Sequence, residues 1–162
     1  MRIFTDASTS GKVSGIAFVV TDKHHNVLIK KSKPLIESDN NAAELAAILF
    51  ALEEVSDSNE HITILSDSQY ALGCIKRNHC RKFEKPIMDL IQYHLANRKW
   101  ACLWIKGHHN DGTMLANFNQ QADHLASNAR KSFIITKRKE KHLRHQKLKR
   151  INNRYQSEGE RD

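Results

Sequence analysis

The chain has 162 residues and a formal net charge of +8, and its charge is unevenly distributed. Residues 1–129 carry 14 Lys/Arg and 14 Asp/Glu, whereas residues 130–162 carry 12 Lys/Arg and only 4 Asp/Glu. No apolar run approaches the roughly 20 residues of a membrane helix, no signal-peptide core is evident, and three cysteines without metal-binding spacing argue against a disulfide framework. We therefore expect a reduced, cytoplasmic protein without membrane association, made of a neutral globular body and a basic extension.

The first part of the chain predicts three strands and a helix. Residues 2–8, 14–22 and 26–34 are strand-like, and the turn DKHHN joins the second to the third, which indicates an antiparallel arrangement. Apolar residues at i, i+3, i+4 and i+7 then predict a helix: Leu45, Ile48, Leu49 and Leu52. Asp39 or Asn40 is suited to cap this helix at its N-terminus.

The second part continues with alternating strands and helices. Residues 61–67 form a short apolar strand that follows a helix, so we expect it to lie parallel to the first strand. Two helices, a fifth strand and a last body helix follow, at 66–77, 85–98, 100–109 and 117–130. The order β-β-β-α-β-α-α-β-α predicts an α/β fold with a five-stranded mixed sheet, three antiparallel strands and then parallel ones. We expect a catalytic domain at 1–132 and a basic C-terminal extension at 133–162, partly helical or disordered.

Four carboxylates fall at positions where they can meet. Asp6 and Asp67 come at the ends of the first and fourth strands, and ligand sites of α/β sheets lie at that edge. Glu44 and Asp123 lie on predicted helices. Singly, each acid could serve as a surface, turn or capping residue, with Asp67 as a helix cap. Together, four acids without matching bases are typical of a site for hard divalent cations.

Five segments carry a family resemblance. They are TDAS at 5–8, NNAAELAAI at 40–48, SDSQYAL at 66–72, WIKGHHN at 104–110 and NQQADHLA at 119–126. In their order and spacing the chain resembles the type I ribonuclease H family from about residue 2 to residue 129. The resemblance implies a ribonuclease H-like fold and an endonuclease that hydrolyses the RNA strand of RNA–DNA hybrids, leaving 5′-phosphate and 3′-hydroxyl ends.

The resemblance also implies roles for the carboxylates. Asp6, Glu44, Asp67 and Asp123 match the family's metal-binding acids, which hold two divalent ions, usually Mg²⁺, with Mn²⁺ as the other candidate. By the same resemblance, Asp6 bridges both ions and Asp123 helps hold the ion that activates water. Glu44 and Asp67 hold the ion beside the leaving group, and Glu44 approaches a ribose 2′-hydroxyl.

Further residues are carried over from the same motifs. His108 matches the family's mobile histidine, a group suited to move protons near neutral pH, and its neighbour His109 is the alternative. Neutral side chains that match nucleic-acid-binding positions are Ser8, Asn40, Asn41, Gln69 and Asn119.

The chain departs from the family in three places. The connection between the helices at 66–77 and 85–98 is short, so its basic residues with Phe83 form a reduced handle for the hybrid: Arg77, Arg81, Lys82 and Lys85. Asp39 stands where a hydroxyl is usual near a DNA phosphate, and an acid repels phosphate. The loop after His108 is longer than usual.

Three hypotheses follow. The first is a monomeric ribonuclease H whose partner is an RNA–DNA hybrid and whose basic extension adds phosphate contacts. The second is another nuclease of the superfamily, such as a junction resolvase or an exonuclease. The third is a non-catalytic nucleic-acid-binding module of the same fold, against which the presence of all four acids argues.

Overall fold

The computed structural model describes residues 1–107 and 112–159, with side chains to residue 151. The predicted order of elements is confirmed, with a short 3-10 helix (Lys82–Glu84) before α3. The elements are β1 (Arg2–Ser10), β2 (Val13–Thr21), β3 (Val27–Ile36), α1 (Asn40–Glu54), β4 (Ile62–Ser66), α2 (Gln69–Arg77), α3 (Lys85–Leu95), β5 (Trp100–Trp104) and α4 (Met114–Gly159).

The sheet has the strand order β3-β2-β1-β4-β5. Its first three strands are antiparallel, and β4 lies parallel to both β1 and β5, so the predicted mixed sheet is confirmed. In the β1–β4 register Phe4 lies opposite Leu65, and both strands run toward the same edge of the sheet. The residues that follow this pair, Asp6 in β1 and Asp67 after β4, are therefore brought to one edge.

Alternate residues of the central strands pack on opposite faces of the sheet. Ile3 and Ile64 belong to the larger core, which α1 covers with Leu45, Ile48 and Leu52. Phe4 belongs to the second core, beneath Phe118 and Ala122 of α4. Because successive side chains of a strand point to opposite faces, a strand covered on both sides is apolar throughout, and β1 and β2 are.

Helix α4 packs directly against the backbone of β2. A Cβ added at Gly15 would lie 2.7 Å from the backbone nitrogen of Arg130 and closer still to the carbonyl oxygen of Ala126. Gly15 is the register partner of Ser8, whose hydroxyl accepts a hydrogen bond from Arg130 Nε at 3.1 Å. This close packing keeps the preceding turns of α4, with Asp123, beside β1.

Helix α1 begins at Asn40, and Asp39 is its cap. The Asp39 carboxylate accepts a hydrogen bond from the backbone nitrogen of Ala42 at 2.9 Å. Of the two candidates for the cap, the structure therefore uses Asp39, and Asn40 is the first helical residue. Glu44, in the second turn, lies on the buried face of the helix.

The chain divides into two compact units, Met1–Arg130 and Lys131–Asp162. The second unit is helical through Gly159, and its Lys and Arg side chains are exposed through residue 151. Lys137 pairs with Glu140 at 2.9 Å, and the exposed apolar side chains among the basic ones are Ile135, Leu143, Leu148 and Ile151. Within the described part of the chain, no helix has the length and apolarity needed to cross a membrane.

Candidate metal centre

Three of the predicted carboxylates form a compact cluster. Asp6 from β1, Glu44 from α1 and Asp67 after β4 each offer an oxygen, and these atoms lie within 4.8 Å of one another. The parallel β1–β4 pair supplies two of them, and the buried face of α1 supplies the third. The meeting of Asp6 and Asp67 at one sheet edge follows from this topology, as the sequence predicts.

Asp123 completes the group. Its side chain and that of Asp6 are joined by a hydrogen bond. The carboxylates line an open cavity of about 410 Å³, whose wall is formed by Asp6, Ala7, Ser8, Thr9, Asn40, Glu44, Asp67, Ser68 and Asp123. The structure thus brings all four predicted acids together.

The cluster strongly favours protonation in the absence of a cation. Asp6 is 6% exposed and Glu44 is 4% exposed. Burial, together with the charges of Asp67 and Asp123, raises the pKa of Asp6 to about 8. Burial, with the charges of Asp6 and Asp67, raises the pKa of Glu44 well above its ordinary value, although the backbone N–H of Ala7 donates to its carboxylate.

These residues fit a divalent cation. The donor set is entirely carboxylate oxygen, which Mg²⁺ and Mn²⁺ prefer. Oxygens bound at about 2.1 Å to one Mg²⁺ lie up to about 4.2 Å apart, so separations within 4.8 Å need little adjustment. The buried Oε2 of Glu44 has no hydrogen-bond partner among the described residues, which leaves it available as a ligand.

Asp67 is not the cap of α2. Ser68 takes that role, because its hydroxyl accepts a hydrogen bond from the backbone nitrogen of Ala71 at 3.1 Å. The Ser66 hydroxyl in turn accepts from the backbone nitrogen of Ser68 at 3.0 Å. The capping alternative that the sequence offers for Asp67 therefore falls to its neighbour.

The predicted nucleic-acid-binding residues differ in position. Ser8 and Asn40 line the cavity beside the carboxylates. Gln69 is exposed at the start of α2, and Asn41 is half-buried in the first turn of α1. Asn119 is 5% exposed, and its Oδ1 has no hydrogen-bond partner in the described part of the chain. Contacts of these five with nucleic acid remain predictions, as do the roles of His108 and His109, which lie outside the described residues.

The connection from α2 to α3 holds an ionic network that the sequence did not reveal. Glu84 is fully buried and accepts hydrogen bonds from the Tyr70 hydroxyl and from the backbone and guanidinium of Arg81. Arg81 also donates to Asp39 at 2.9 Å and lies over the Phe83 ring, 4.4 Å from its centroid. The hydrogen bond from Arg81 lowers the pKa of Asp39. A signal for the pair was the i, i+3 spacing of Arg81 and Glu84; nothing in the sequence pointed to Asp39.

This network changes the expectation for Asp39. A bare acid at the start of α1 repels phosphate, but here the Arg81 guanidinium opposes its charge at 2.9 Å. Arg81 is correspondingly engaged by two carboxylates. Of the basic residues assigned to the reduced handle, it is therefore the one whose charge is already matched within the protein.

Comparison with known proteins identifies the family. The family model described as RNase H matches residues 1–131. The chain belongs to the RNase H family. The enzyme class that the sequence predicts, ribonuclease H, is confirmed at the level of the family.

Solved RNase H structures share the fold. The N-terminal RNase H domain of a Mycobacterium tuberculosis protein is 19% identical with a TM-score of 0.72, and the comparison covers 83% of this chain and 96% of that one. LC11-RNase H1, solved in complex with an RNA/DNA hybrid, is 22% identical with a TM-score of 0.70, covering 82% and 98%. RNase H1 from Halobacterium salinarum is 18% identical with a TM-score of 0.67, covering 79% and 95%. At these identities the likeness concerns the fold.

Proposed function

We propose that this RNase H is an endonuclease that hydrolyses the RNA strand of RNA–DNA hybrids with the help of two divalent ions, leaving 5′-phosphate and 3′-hydroxyl ends. The observation that carries the proposal is the meeting of four carboxylates at one open cavity in a chain of this family. The presence of a hybrid in the LC11-RNase H1 structure supports the substrate class.

The four acids are the proposed ion ligands. Asp6 is the central one, because it faces Glu44, Asp67 and Asp123, and we assign it to both ions. Asp123 belongs to the water-activating side, and Glu44 and Asp67 to the side of the leaving oxygen. When bound, the ions make water a stronger nucleophile and stabilise the charge that develops on the departing oxygen. Mg²⁺ is the proposed ion, and Mn²⁺ is the alternative.

The remaining site residues bind the hybrid or move protons. Ser8 and Asn40 border the carboxylates and are placed to hydrogen-bond the sugar-phosphate backbone or base edges. Asn41, Gln69 and Asn119 are further proposed contacts, and Glu44 is the proposed partner of a ribose 2′-hydroxyl. His108 is the proposed proton carrier, because an imidazole exchanges protons near neutral pH.

The proposal extends to the rest of the chain. Residues 1–132 are the proposed catalytic domain, acting as a monomer, and residues 133–162 are a basic extension that contacts phosphates. All three cysteines are free thiols, which supports a reducing, cytoplasmic location.

Cleavage assays test the function. Labelled RNA–DNA hybrid, duplex RNA and duplex DNA are each incubated with Mg²⁺ or with a chelator. We expect Mg²⁺-dependent cleavage of the RNA in the hybrid only, with 5′-phosphate products, and near-complete loss in Asp67→Asn, whose fold is checked by circular dichroism. Exposed Asp89→Asn is the matched control and keeps full activity.

Two other outcomes would contradict the proposal. Cleavage of branched or duplex DNA in preference to the hybrid would indicate another nuclease of the superfamily. Tight binding of the hybrid without cleavage, under both Mg²⁺ and Mn²⁺, would indicate a nucleic-acid-binding module.

A further inference from the structure

The residues at the end of β5 and just after it hold the Asp67 segment in three ways. The backbone nitrogen of Ile105 donates to the Ser66 carbonyl at 3.1 Å, which extends the β4–β5 ladder by one bond. The indole Nε1 of Trp104 donates to the carbonyl oxygen of Asp67 at 3.0 Å. The third contact is at Gly107, whose Cα faces the Asp67 carboxylate.

Gly107 is required by space and not by backbone conformation. A Cβ built at this position would lie 3.0 Å from Cγ of Asp67 and closer still to Oδ2, a separation that real side chains do not adopt. Its φ lies outside the left-handed region, so another residue could take the same backbone conformation. Gly112 is the opposite case, with φ of 76° and no atom within 4 Å of an added Cβ.

We propose that Trp104 and Gly107 are positioning residues for Asp67. The Trp104 indole fixes the main chain at Asp67, and the missing side chain of Gly107 provides the volume that the Asp67 carboxylate occupies. The inference rests on the proposed role of the four acids as ion ligands. It adds that the position of one ligand is set by a segment about forty residues later in the chain.

Ion binding is the property that such positioning governs. Mg²⁺ requires near-ideal octahedral geometry and tolerates displaced ligands poorly. A methyl group at position 107 must push the Asp67 carboxylate out of its place among Asp6 and Glu44. Losing a group that orients a metal ligand lowers ion affinity or activity by about 10–100-fold.

The test compares Gly107→Ala with Gly73→Ala. An added Cβ at Gly73, in α2, meets only the flexible guanidinium of Arg77, so this variant is a matched control. Mg²⁺ affinity is measured by calorimetry on the full chain without nucleic acid. We expect about 10–100-fold weaker Mg²⁺ binding in Gly107→Ala, about tenfold weaker binding in Trp104→Phe, and wild-type affinity in Gly73→Ala. Hybrid cleavage by Gly107→Ala should recover as Mg²⁺ is raised. Wild-type Mg²⁺ affinity in both Gly107→Ala and Trp104→Phe would overturn the proposal.

A double-mutant cycle ties the effect to the carboxylate. In chelator, Gly107→Ala should lower the urea midpoint of the wild type more than that of Asp67→Ala, which lacks the displaced group. Equal shifts in the two backgrounds would overturn the proposal in favour of a general structural role. Failure of the proposed function looks different, because then the wild type binds Mg²⁺ with the expected variant ranking but does not cleave the hybrid.

Discussion

The buried acid cluster should make the metal-free protein less stable as the pH rises. Asp6 has an ordinary pKa of 3.8 and, in the fold, one of about 8. Between these values the folded protein keeps a proton that the unfolded chain has released, so its stability is complete below about pH 4 and is lost toward pH 8. Each pKa unit corresponds to about 1.4 kcal/mol, so the full range is worth up to about 6 kcal/mol.

Urea unfolding in chelator, at pH 5.5 and pH 8, measures this loss. That interval of 2.5 units predicts about 3 kcal/mol from Asp6 alone. Because the chain has ten histidines that also titrate, the quantity to compare is the difference between the wild type and Asp6→Asn. Asp67→Asn should reduce the pH dependence, since the charge of Asp67 is the second cause of the raised pKa.

Glu140→Gln is the control for this experiment. Its exposed carboxylate has a pKa lowered by Lys137, so its effect on stability is complete above about pH 5 and leaves the slope unchanged. Mg²⁺ should stabilise the wild type most at pH 8, where the ligands release their protons most readily. A wild-type stability that is flat or rising from pH 5.5 to pH 8, relative to Asp6→Asn, would refute the account of the cluster.

Three further predictions concern the rest of the chain. Glu84→Ala removes the buried partner of Tyr70 and Arg81, and urea unfolding should show a loss of about 3 kcal/mol, at the low end for buried pairs because Arg81 is 37% exposed; a loss below 1 kcal/mol would contradict it. His108→Ala should slow hybrid cleavage about 10²–10⁴-fold, while His109→Ala stays close to wild type; the reverse ranking would assign the role to His109. Deletion of residues 133–162 should lower hybrid affinity and flatten its salt dependence, which anisotropy titrations measure as a slope of about −0.9 per lost phosphate contact; unchanged affinity and slope would exclude the extension as a binding element.

The sheet and the acid cluster were predictable because they depend on local patterns. Strands with turns between them, and a helix with apolar residues at 3.6-residue spacing, give the element order, and the order then brings the ends of β1 and β4 together. Asp6 and Asp67 lie where those strands end, so their meeting required no knowledge of side-chain packing.

Contacts between distant residues were not predictable in this way. Arg81 and Asp39 are 42 positions apart, and Gly107 lies forty positions after Asp67, so no periodicity connects either pair. The start of α4 was also placed too late, at residue 117. Its first turn begins at Met114, where the Thr113 hydroxyl accepts a hydrogen bond from the backbone nitrogen of Ala116 at 3.2 Å, a capping pattern that the loop composition concealed.

The contact at Gly15 has a consequence for how sequences of this family can diverge. Because α4 meets β2 backbone against backbone there, the spacing between the helix that carries Asp123 and the sheet that carries Asp6 does not depend on the size of any side chain at that point. Apolar residues elsewhere in the core can exchange for one another, provided that volume is kept, without moving the two acids apart. Relatives that are 18–22% identical yet superpose with TM-scores of 0.67–0.72 are the pattern expected of such a scaffold. Substitutions should accumulate over most of the core and remain scarce at a few positions where any added carbon would separate two main chains.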